Sequence, residues 1–352
     1  MRLLSTFLIV GLVISGSGVQ AEQLELDNGI IRVGANLDYG GAITYLSLSG
    51  EKRNLINNHD RGRQVQQSYY TGEPLDRRDE GQHPSWSPWP WNPIQVGDVY
   101  FNPAEVTEYE HSDEEIYTKT IPMLWDMYNE PAECHFETWI SLDGNTVIVR
   151  NKLTTFRTDD RWSATPRHQE LPAVYTIADL PHLYTYDGDA PFTRDALTRI
   201  PPTPPPWTYW DGTEKWAAYV DDDNWGVGVY YADAEEFIGG FAGSPGGGTM
   251  DGSTGYISPL RTMAIEKDTV FEYEYTLIVG NLDEIRDFVY IAEGHTVDQP
   301  PSNDDENDED NGTLPPDTDM PVRWSAGVIG AFIVLVFIAL FVMWRIRAGH
   351  SS

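Results

Sequence analysis

The sequence predicts an all-β fold, a large antiparallel β-sandwich of the supersandwich type. Short segments that alternate apolar and polar residues recur along the chain, and turn-forming pairs such as Asn-Gly and Gly-Gly separate them. These segments fill residues 22–297 without a linker at the midpoint. That continuity favours one domain over two.

The predicted elements follow in chain order. Residues 24–50 contain three short strands joined by hairpin turns. Helical periodicity is convincing only at 281–292, and residues 201–206 (PPTPPP) and 239–248 are predicted loops, the first extended and the second flexible. The further predicted strands are Gly62–Tyr70, Tyr117–Met123, His135–Ile140, Thr146–Leu153, Trp216–Val220, Val227–Tyr231 and Val270–Val279.

Segments of different composition flank this domain. Residues 1–21 have the charged start, apolar run and small-residue end of a secretory signal peptide. Residues 298–321 are acidic and proline-containing, which predicts a disordered linker. Residues 325–344 contain no charge and are long enough for a transmembrane helix, and residues 345–352 begin with Arg345. The positive-inside rule places that tail in the cytoplasm and the domain 22–297 outside, in a single-pass cell-membrane protein.

The charge balance limits the partners. The chain has 55 acidic and 23 basic residues, a net charge of −32, which disfavours nucleic acid and an electrostatic hold on anionic membranes. An Asp-rich, Lys-poor surface fits a halophilic habitat. The single cysteine, Cys134, excludes an internal disulfide, and we expect neither a metal site nor a cofactor. Residues 221–224 (DDDN) could offer oxygen ligands to calcium, but an acidic hairpin turn is the preferred interpretation.

Residues 54–98 form the most unusual stretch. They are rich in His, Arg, Gln, Tyr, Trp and Asn, which provide hydrogen bonds for vicinal hydroxyls and flat faces for pyranose rings. As a strand, residues 62–70 place Arg63 and Tyr69 on one face and Gln66 and Tyr70 on the other. One face is expected to line a sugar-binding cleft; the alternative is a satisfied polar network at the sandwich edge.

The opening residues 28–70, NGIIRVGANLDYGGAITYLSLSGEKRNLINNHDRGRQVQQSYY, resemble the start of galactose mutarotase-like domains. Residues 215–219 (KWAAY) and 225–230 (WGVGVY) fit the same plan. Aldose epimerases, several polysaccharide lyases and glycoside hydrolases share this β-supersandwich, and secreted members of bacteria and archaea are most similar. The resemblance implies a carbohydrate-related role.

One departure concerns the catalytic groups of aldose epimerases. Their H-x-Y-F-N motif does not occur, and residues 167–175 (RHQELPAVY) come nearest to it. A late glutamate is not assigned, although Glu272 and Glu274 lie on the last predicted strand. Simple anomer exchange is therefore not the expected reaction.

Four residues are the candidate acids, bases and proton donors: His59, His168, Glu170 and Tyr70. His59 precedes Asp60, which can orient an imidazole base, and a turn-stabilising pair is the alternative. His168 and Glu170 share a face if the chain is extended, although Arg167 could simply pair with Glu170. The candidate substrate-binding residues are Arg63, Gln66, Tyr69, Trp86, Trp89, Trp91, Asn92, Arg167 and Trp210.

Each binding candidate has a structural alternative. The tryptophans in the proline-broken segment 86–91 are expected to form an exposed stacking platform, or else to cap the sandwich core. Arg63 or Arg167 could hold a uronate carboxylate, or form a surface salt bridge.

The sequence therefore predicts a cell-surface protein that binds or acts on an oligo- or polysaccharide, as a uronate-directed lyase or a glycosidase. In a lyase, Arg63 or Arg167 neutralises the carboxylate, His59 or His168 takes the C5 proton, and Tyr69 or Tyr70 donates to the leaving oxygen. The alternatives are a non-catalytic glycan-binding or cell-envelope protein and a receptor for a protein partner.

Overall fold

The computed structural model describes residues 23–297, which fold into 21 strands, three short 3₁₀ helices and one α-helix. The all-β prediction is confirmed for this part of the chain. No helix among these residues is long and apolar enough to span a membrane. The predicted signal peptide, acidic linker, transmembrane helix and cytoplasmic tail lie outside the described residues.

The strands of the first half are β1 (Gln23–Asp27), β2 (Ile31–Asn36), β3 (Ala42–Leu48), β4 (Val65–Ser68), β5 (Thr71–Leu75), β6 (Trp89–Trp91), β7 (Pro93–Ile94), β8 (Glu105–His111), β9 (Glu115–Ile121), β10 (Met123–Leu124), β11 (Cys134–Asp143) and β12 (Thr146–Thr155). The second half contains β13 (Arg167–Ile177), β14 (His182–Thr185), β15 (Thr198–Ile200), β16 (Thr208–Trp210), β17 (Trp216–Val220), β18 (Trp225–Tyr230), β19 (Glu236–Ala242), β20 (Thr254–Met263), β21 (Val270–Asn281) and the helix α1 (Leu282–Ala292). The 3₁₀ helices are Leu37–Tyr39, Arg78–Glu80 and Pro84–Trp86.

Two antiparallel sheets face each other. The ten-stranded sheet runs β1-β2-β3-β4-β13-β20-β19-β16, with β7 and β10 attached beside β4. The nine-stranded sheet runs β15-β14-β17-β18-β21-β12-β11-β9-β8, and β5 pairs separately with β6. Hydrophobic side chains from both sheets, among them Leu46, Val174, Phe136 and Leu277, form one continuous buried core. We call the side of the ten-stranded sheet that faces away from this core its outer face.

Helix α1 begins where the sequence pattern placed it. The side chain of Asn281 accepts from the backbone N–H of Glu284, and the Glu284 side chain accepts from the backbone N–H of Asn281, which forms a capping box. Ile285 and Val289 pack against Trp216 in a second buried cluster, on the side of the nine-stranded sheet away from the main core. The helix therefore covers that side.

Most predicted strands are present, and two predictions need correction. The strand predicted at residues 62–70 is shorter, since β4 contains only Val65–Ser68. The flexible loop predicted at 239–248 starts too early, because β19 continues to Ala242. A Cβ on Gly239 would lie 2.4 Å from the carbonyl oxygen of Tyr256, so this glycine permits close strand approach.

A register shift interrupts β13 on both sides, between Glu170 and Val174 against β20 and between Glu170 and Ala173 against β4. Val174 faces the core, so its neighbour Tyr175 points to the outer face. Glu170 also points outward, where it meets Tyr256. The irregularity thus places residues of opposite parity, 170 and 175, on the same face.

Candidate functional site

Glu170 is the centre of the candidate site on the outer face. Glu170 is a half-buried residue, and its Oε1 accepts a hydrogen bond of 2.7 Å from the hydroxyl of Tyr256 on β20. The hydroxyls of Ser68 and Tyr70 also interact with it. Burial raises the pKa of Glu170, and these hydroxyl groups reduce that rise. Burial thus favours the protonated form of this carboxyl group more than in an exposed glutamate.

Aromatic rings surround this carboxyl group. The ring centroid of Tyr175 lies 4.6 Å from that of Tyr256. The ring centroid of Trp207 lies 5.1 Å from that of Tyr256. Tyr70 contacts Trp89 with ring centroids 6.5 Å apart. Burial strongly raises the pKa of Tyr70, Tyr175 and Tyr256, so all three hydroxyls stay protonated near neutral pH. The half-buried rings of Tyr70, Tyr175 and Trp207 can offer apolar faces to a ligand, whereas Tyr256 is buried and supports Glu170 from below.

Tyr209 on β16 extends the aromatic surface to the edge of the sheet. Its side chain is 51% exposed, which makes it the most accessible ring of the site. Partial burial, followed by the charges of Glu170 and Glu236, raises its pKa to about 12. Tyr209 therefore lies within the electrostatic influence of both carboxylates.

His168 and Glu236 form a second polar group on the outer face. His168 Nδ1 lies 3.9 Å from Oε2 of Glu236, and its ring lies 6.0 Å from the Tyr209 ring. Burial lowers the pKa of His168, which favours the neutral imidazole. Burial, reinforced by the charge of Asp211, raises the pKa of Glu236. Two carboxyl groups with raised pKa values thus share this face.

Sequence reasoning missed Glu236. The only sequence signal is the alternation in residues 236–238, where Phe237 joins the core and its neighbours point outward. This short pattern precedes two glycines and was predicted to lead into a flexible loop. The structure makes it a strand hydrogen-bonded to β20.

His59, Asp60 and Arg63 lie together beside the glycine-rich segment 243–252. His59 Nδ1 is 2.9 Å from the carbonyl oxygen of Met250, and Arg63 Nη1 donates to that of Gly252 at 2.8 Å. Arg63 Nε also pairs with Asp60 at 3.2 Å. Burial raises the pKa of Asp60, and the charge of Arg63 opposes this. These contacts anchor a loop at the rim of the site.

Several candidates are buried, which corrects the sequence-based interpretation. Tyr69, the residue after β4, is fully buried because it continues the inward-facing side of that strand. Its hydroxyl group donates a hydrogen bond to Gln67 Oε1. Gln66 is 2% exposed and Asn92 is 1% exposed, and Asn92 donates to the carbonyl oxygen of Tyr69. In their observed rotamers these groups do not face a ligand.

The expected tryptophan platform is also wrong in large part. Trp91 is 2% exposed and packs beneath the guanidinium of Arg157, while Trp210 stacks on Phe237 in the core. Trp89 is nearly buried and donates its indole N–H to Asn92. Only Trp86 is partly exposed, with its ring edge-on to Trp89 at 4.7 Å. The loop thus caps the sandwich.

Arg167 lies at the start of β13. Its Nε donates to the carbonyl oxygen of Gly72, and its Nη2 lies 3.5 Å from Glu73. The proposed pairing of Arg167 with Glu170 is therefore replaced by a contact with Glu73.

A cavity of about 710 Å³ is present in another part of the described chain. Its lining includes Arg157, Trp162 and Lys267, together with the carboxylates of Asp160 and Glu266. None of its lining residues belongs to the face around Glu170. The acid–base groups around Glu170 therefore lie outside this cavity.

No protein-family model matches the sequence, and no curated protein matches it. Solved structures of low identity do resemble the fold. A putative aldose 1-epimerase from Escherichia coli K12 shares 11% identity over 75% of this chain and 100% of that chain, with a TM-score of 0.45. A galactose mutarotase related enzyme from Lactobacillus acidophilus shares 11% identity over 73% of this chain and 97% of that chain, also with a TM-score of 0.45.

A 4-alpha-glucanotransferase from Thermococcus litoralis shares 14% identity, covering 75% of this chain and 40% of that chain, with a TM-score of 0.38. The structural neighbours thus include proteins of galactose mutarotase and aldose epimerase type. Similarities of this size do not identify the reaction. The reaction therefore has to be inferred from the residues of this site and not from the structural neighbours.

Proposed function

We propose that the outer face around Glu170 binds carbohydrate and that the protein is a carbohydrate-active enzyme in which Glu170 donates or accepts a proton. One observation carries the proposal: a half-buried glutamate on the outer face whose carboxyl group has a raised pKa, contacts hydroxyl groups and is flanked by aromatic rings. Aromatic faces suit the C–H groups of pyranoses, and a carboxyl group with raised pKa suits general acid catalysis.

Glycosidic hydrolysis fits the site better than uronate elimination. A lyase needs a cation that neutralises the substrate carboxylate. Arg63 already pairs with Asp60, and Arg167 with Glu73. The remaining charges near Glu170 include the carboxylate of Glu236, which repels a uronate. We therefore favour an uncharged glycoside as substrate.

The proposed location is the outer side of the cell membrane, with the domain held by a single C-terminal helix. The support is the sequence alone: an uncharged apolar segment at 325–344, followed by Arg345 and Arg347. A polysaccharide outside the cell is a substrate that an outward-facing domain can reach.

The test uses the full-length chain in a mild detergent at high salt. Neutral and uronic oligosaccharides are screened for binding by saturation-transfer NMR and for cleavage by chromatography. We expect binding and cleavage of a neutral oligosaccharide, with turnover reduced about 10²–10⁴-fold in Glu170→Gln. Glu108→Gln, which changes an exposed carboxylate on the edge strand β8 of the other sheet, should retain activity. Failure to bind any sugar would refute the proposal.

A non-catalytic glycan-binding protein is the second candidate. The observation that favours it is the interaction of Glu170 with three hydroxyl groups, which stabilises the ionised carboxylate as a hydrogen-bond acceptor. In that case the wild type binds sugar without cleaving it. Glu170→Gln then weakens binding, whereas loss of an acid–base group would mainly reduce turnover.

A further inference from the structure

The cavity of about 710 Å³ lies between two connections of the fold, away from Glu170. One connection is the segment 156–164 between β12 and β13, and the other is the segment 266–268 between β20 and β21. Arg157 and Trp162 on the first segment both line the cavity, although they are only 4% and 6% exposed. A buried charge and a large buried ring thus border a volume that is typical of small-ligand sites.

The guanidinium of Arg157 lacks the partners that a buried charge normally has. Within residues 23–297, its Nε and Nη1 have no hydrogen-bond partner, and Nη2 donates a long bond of 3.5 Å to the carbonyl oxygen of Ile265. The group lies over the Trp91 ring at 5.0 Å, a contact that supplies no carboxylate. Burial lowers the pKa of Arg157, and the charge of Asp159, among others, opposes this. Because a buried cation without a bonded anion is costly, the arrangement points to an anionic ligand.

The indole of Trp162 adds a second donor without a partner. Its Nε1–H is buried and has no hydrogen-bond acceptor among the described residues, which is unusual for a buried polar group. The Arg77 guanidinium lies over the ring at 5.4 Å. Gly72 approaches so closely that a Cβ there would lie 2.3 Å from Trp162 Cβ. These contacts hold the ring in place, so a cation and a neutral N–H donor border the same cavity.

The carboxylates of the cavity lining belong to exposed residues. They come from Asp160, Glu266 and Asp268, and Lys267 pairs with Asp160. Three carboxylates against the two cations of the lining disfavour a multiply charged anion such as phosphate. Carboxylates accept hydrogen bonds from hydroxyl or ammonium groups, whereas the buried donors require an acceptor. The complementary ligand therefore has an anionic acceptor at one end and donors at the other.

We propose that this cavity binds a small monocarboxylate whose other end carries hydroxyl or ammonium groups, that is, a sugar acid or an amino acid. The ligand carboxylate accepts from the Arg157 guanidinium, whose N–H groups match its two oxygens, and from the Trp162 indole. Nε and Nη1 of Arg157 are enclosed beneath the cavity surface, so the guanidinium turns towards the cavity when the carboxylate binds. This site is separate from the face around Glu170 and does not depend on the chemistry proposed there.

The test follows the indole N–H signal of Trp162 in nitrogen–proton NMR spectra of the full-length chain in a mild detergent. The signal is assigned by its absence in Trp162→Phe, and it reports on this cavity and not on the face around Glu170. The probes are D-glucuronate and L-alanine, acetate, which lacks the donor groups, D-glucose, which lacks the carboxylate, and inorganic phosphate. We expect D-glucuronate or L-alanine to bind about tenfold more tightly than the last three probes. The tighter of the two identifies the source of the carboxylate.

Arg157→Met should weaken the binding of that probe about 10–100-fold, because it removes the charged hydrogen-bond donors. Arg150→Met is the matched control and should bind as the wild type does. Arg150 is an exposed residue on β12, and its guanidinium also lies over an indole, that of Trp139, at 4.1 Å. Circular dichroism checks that both variants fold.

Trp162→Phe keeps an aromatic ring but loses the N–H donor. It should weaken the binding of the same probe about fivefold, measured by isothermal titration calorimetry. This variant and the ranking of the probes on the wild type decide the question even where Arg157→Met does not fold.

Three results would overturn the inference. The first is that no probe shifts the Trp162 signal, which would mean that water alone satisfies these donors. The second is an unchanged affinity in Arg157→Met or, where that variant does not fold, in Trp162→Phe. The third is that D-glucose or phosphate binds in this cavity as tightly as the better of D-glucuronate and L-alanine. A failure of sugar binding or cleavage at Glu170, with an intact response of the Trp162 signal, would count against the proposed function alone.

Discussion

The hydroxyl of Tyr256 donates a 2.7 Å hydrogen bond to Oε1 of Glu170, joining neighbouring strands β20 and β13 on the outer face. Tyr256 is 1% exposed, so the bond is shielded from competing water. A shielded hydrogen bond to a carboxylate contributes more than an exposed one. The pair therefore fixes the orientation of Glu170 towards the ligand side.

Replacing Tyr256 with phenylalanine should raise the pKa of Glu170 further, because the hydroxyl stabilises the ionised carboxylate. The free energy of unfolding should fall by about 1–2 kcal/mol. Carboxyl-carbon NMR titration measures the pKa, and urea denaturation measures the stability. Tyr175→Phe is the control, since its ring packs on Tyr256 while the donors to Glu170 remain. An unchanged Glu170 pKa in Tyr256→Phe would contradict the assigned bond.

Replacing Tyr209 with alanine should weaken sugar binding about tenfold, because one stacked aromatic face contributes about 1–1.5 kcal/mol. Tyr109→Ala is a matched control. Tyr109 is 48% exposed, against 51% for Tyr209, but it lies on β8 of the nine-stranded sheet. Isothermal titration calorimetry compares the two variants. Equal losses of affinity would show that Tyr209 has no special role.

Replacing Arg286 with methionine should destabilise the protein by about 3–5 kcal/mol, since it leaves a buried carboxylate without its cation. Arg286 Nη2 lies 2.8 Å from Glu214 Oε1, with side-chain exposures of 6% and 0%. This contact ties helix α1 to the segment before β17. Guanidinium chloride denaturation provides the measurement.

Arg78→Met is the comparison for that experiment. Arg78 pairs with Asp76, and both side chains are largely exposed. The loss should be no more than about 1 kcal/mol, because solvent screens an exposed ion pair. If both variants lose the same stability, the Arg286 pair does not anchor the helix.

Asp126 should make stability fall as the pH rises towards neutrality. The side chain is 3% exposed, and burial raises its pKa from 3.8 to about 6. Its folded-state pKa exceeds the unfolded one, so its contribution is full below pH 3.8 and is lost as the pH rises through about 6. The corresponding free energy is about 3 kcal/mol.

Asp126→Asn tests this dependence because the amide does not titrate. Urea denaturation at pH 4 and pH 8 gives the stability difference between the wild type and the variant. That difference should move by about 2.5 kcal/mol in favour of the variant at the higher pH, because the unfolded carboxyl group is already partly ionised at pH 4. The side-chain amide of Gln82 donates a 2.6 Å hydrogen bond to Asp126. Gln82→Glu would place a second titrating group next to Asp126, so it is not used as a control. A pH-independent difference would show that burial does not raise the pKa of Asp126 above its unfolded value.

Local patterns in the sequence were sufficient for much of the fold. The alternation around residues 23–48 gives strands β1 to β3, and the Asn281 cap with Glu284 marks the start of the helix. Each of these signals comes from residues near in sequence. The same holds for the turn at Asp143–Asn145, where Asp143 is opposite Thr146 in the hairpin.

The site was only partly predictable, because distant segments decide which side chains are covered. Trp91 is buried by Arg157 and Trp210 by Phe237, contacts that a single sequence does not reveal. Glu170 was a candidate from its spacing to His168. Glu236 joins it only through the pairing of β13, β20 and β19, and that long-range order has no local signal.

The register shift in β13 has a consequence for engineering the chain. The shift changes which residues face the ligand side. Before it these are even-numbered residues, and after it they are odd-numbered residues such as Tyr175. Strict alternation over the present five-residue spacing would turn either Glu170 or Tyr175 into the core, whereas deleting one residue from 171–173 would leave an even spacing that keeps both on the ligand side. The number of residues between Glu170 and Tyr175 therefore has to change together with the irregularity, because the extra residue sets the facing of the second half of the strand.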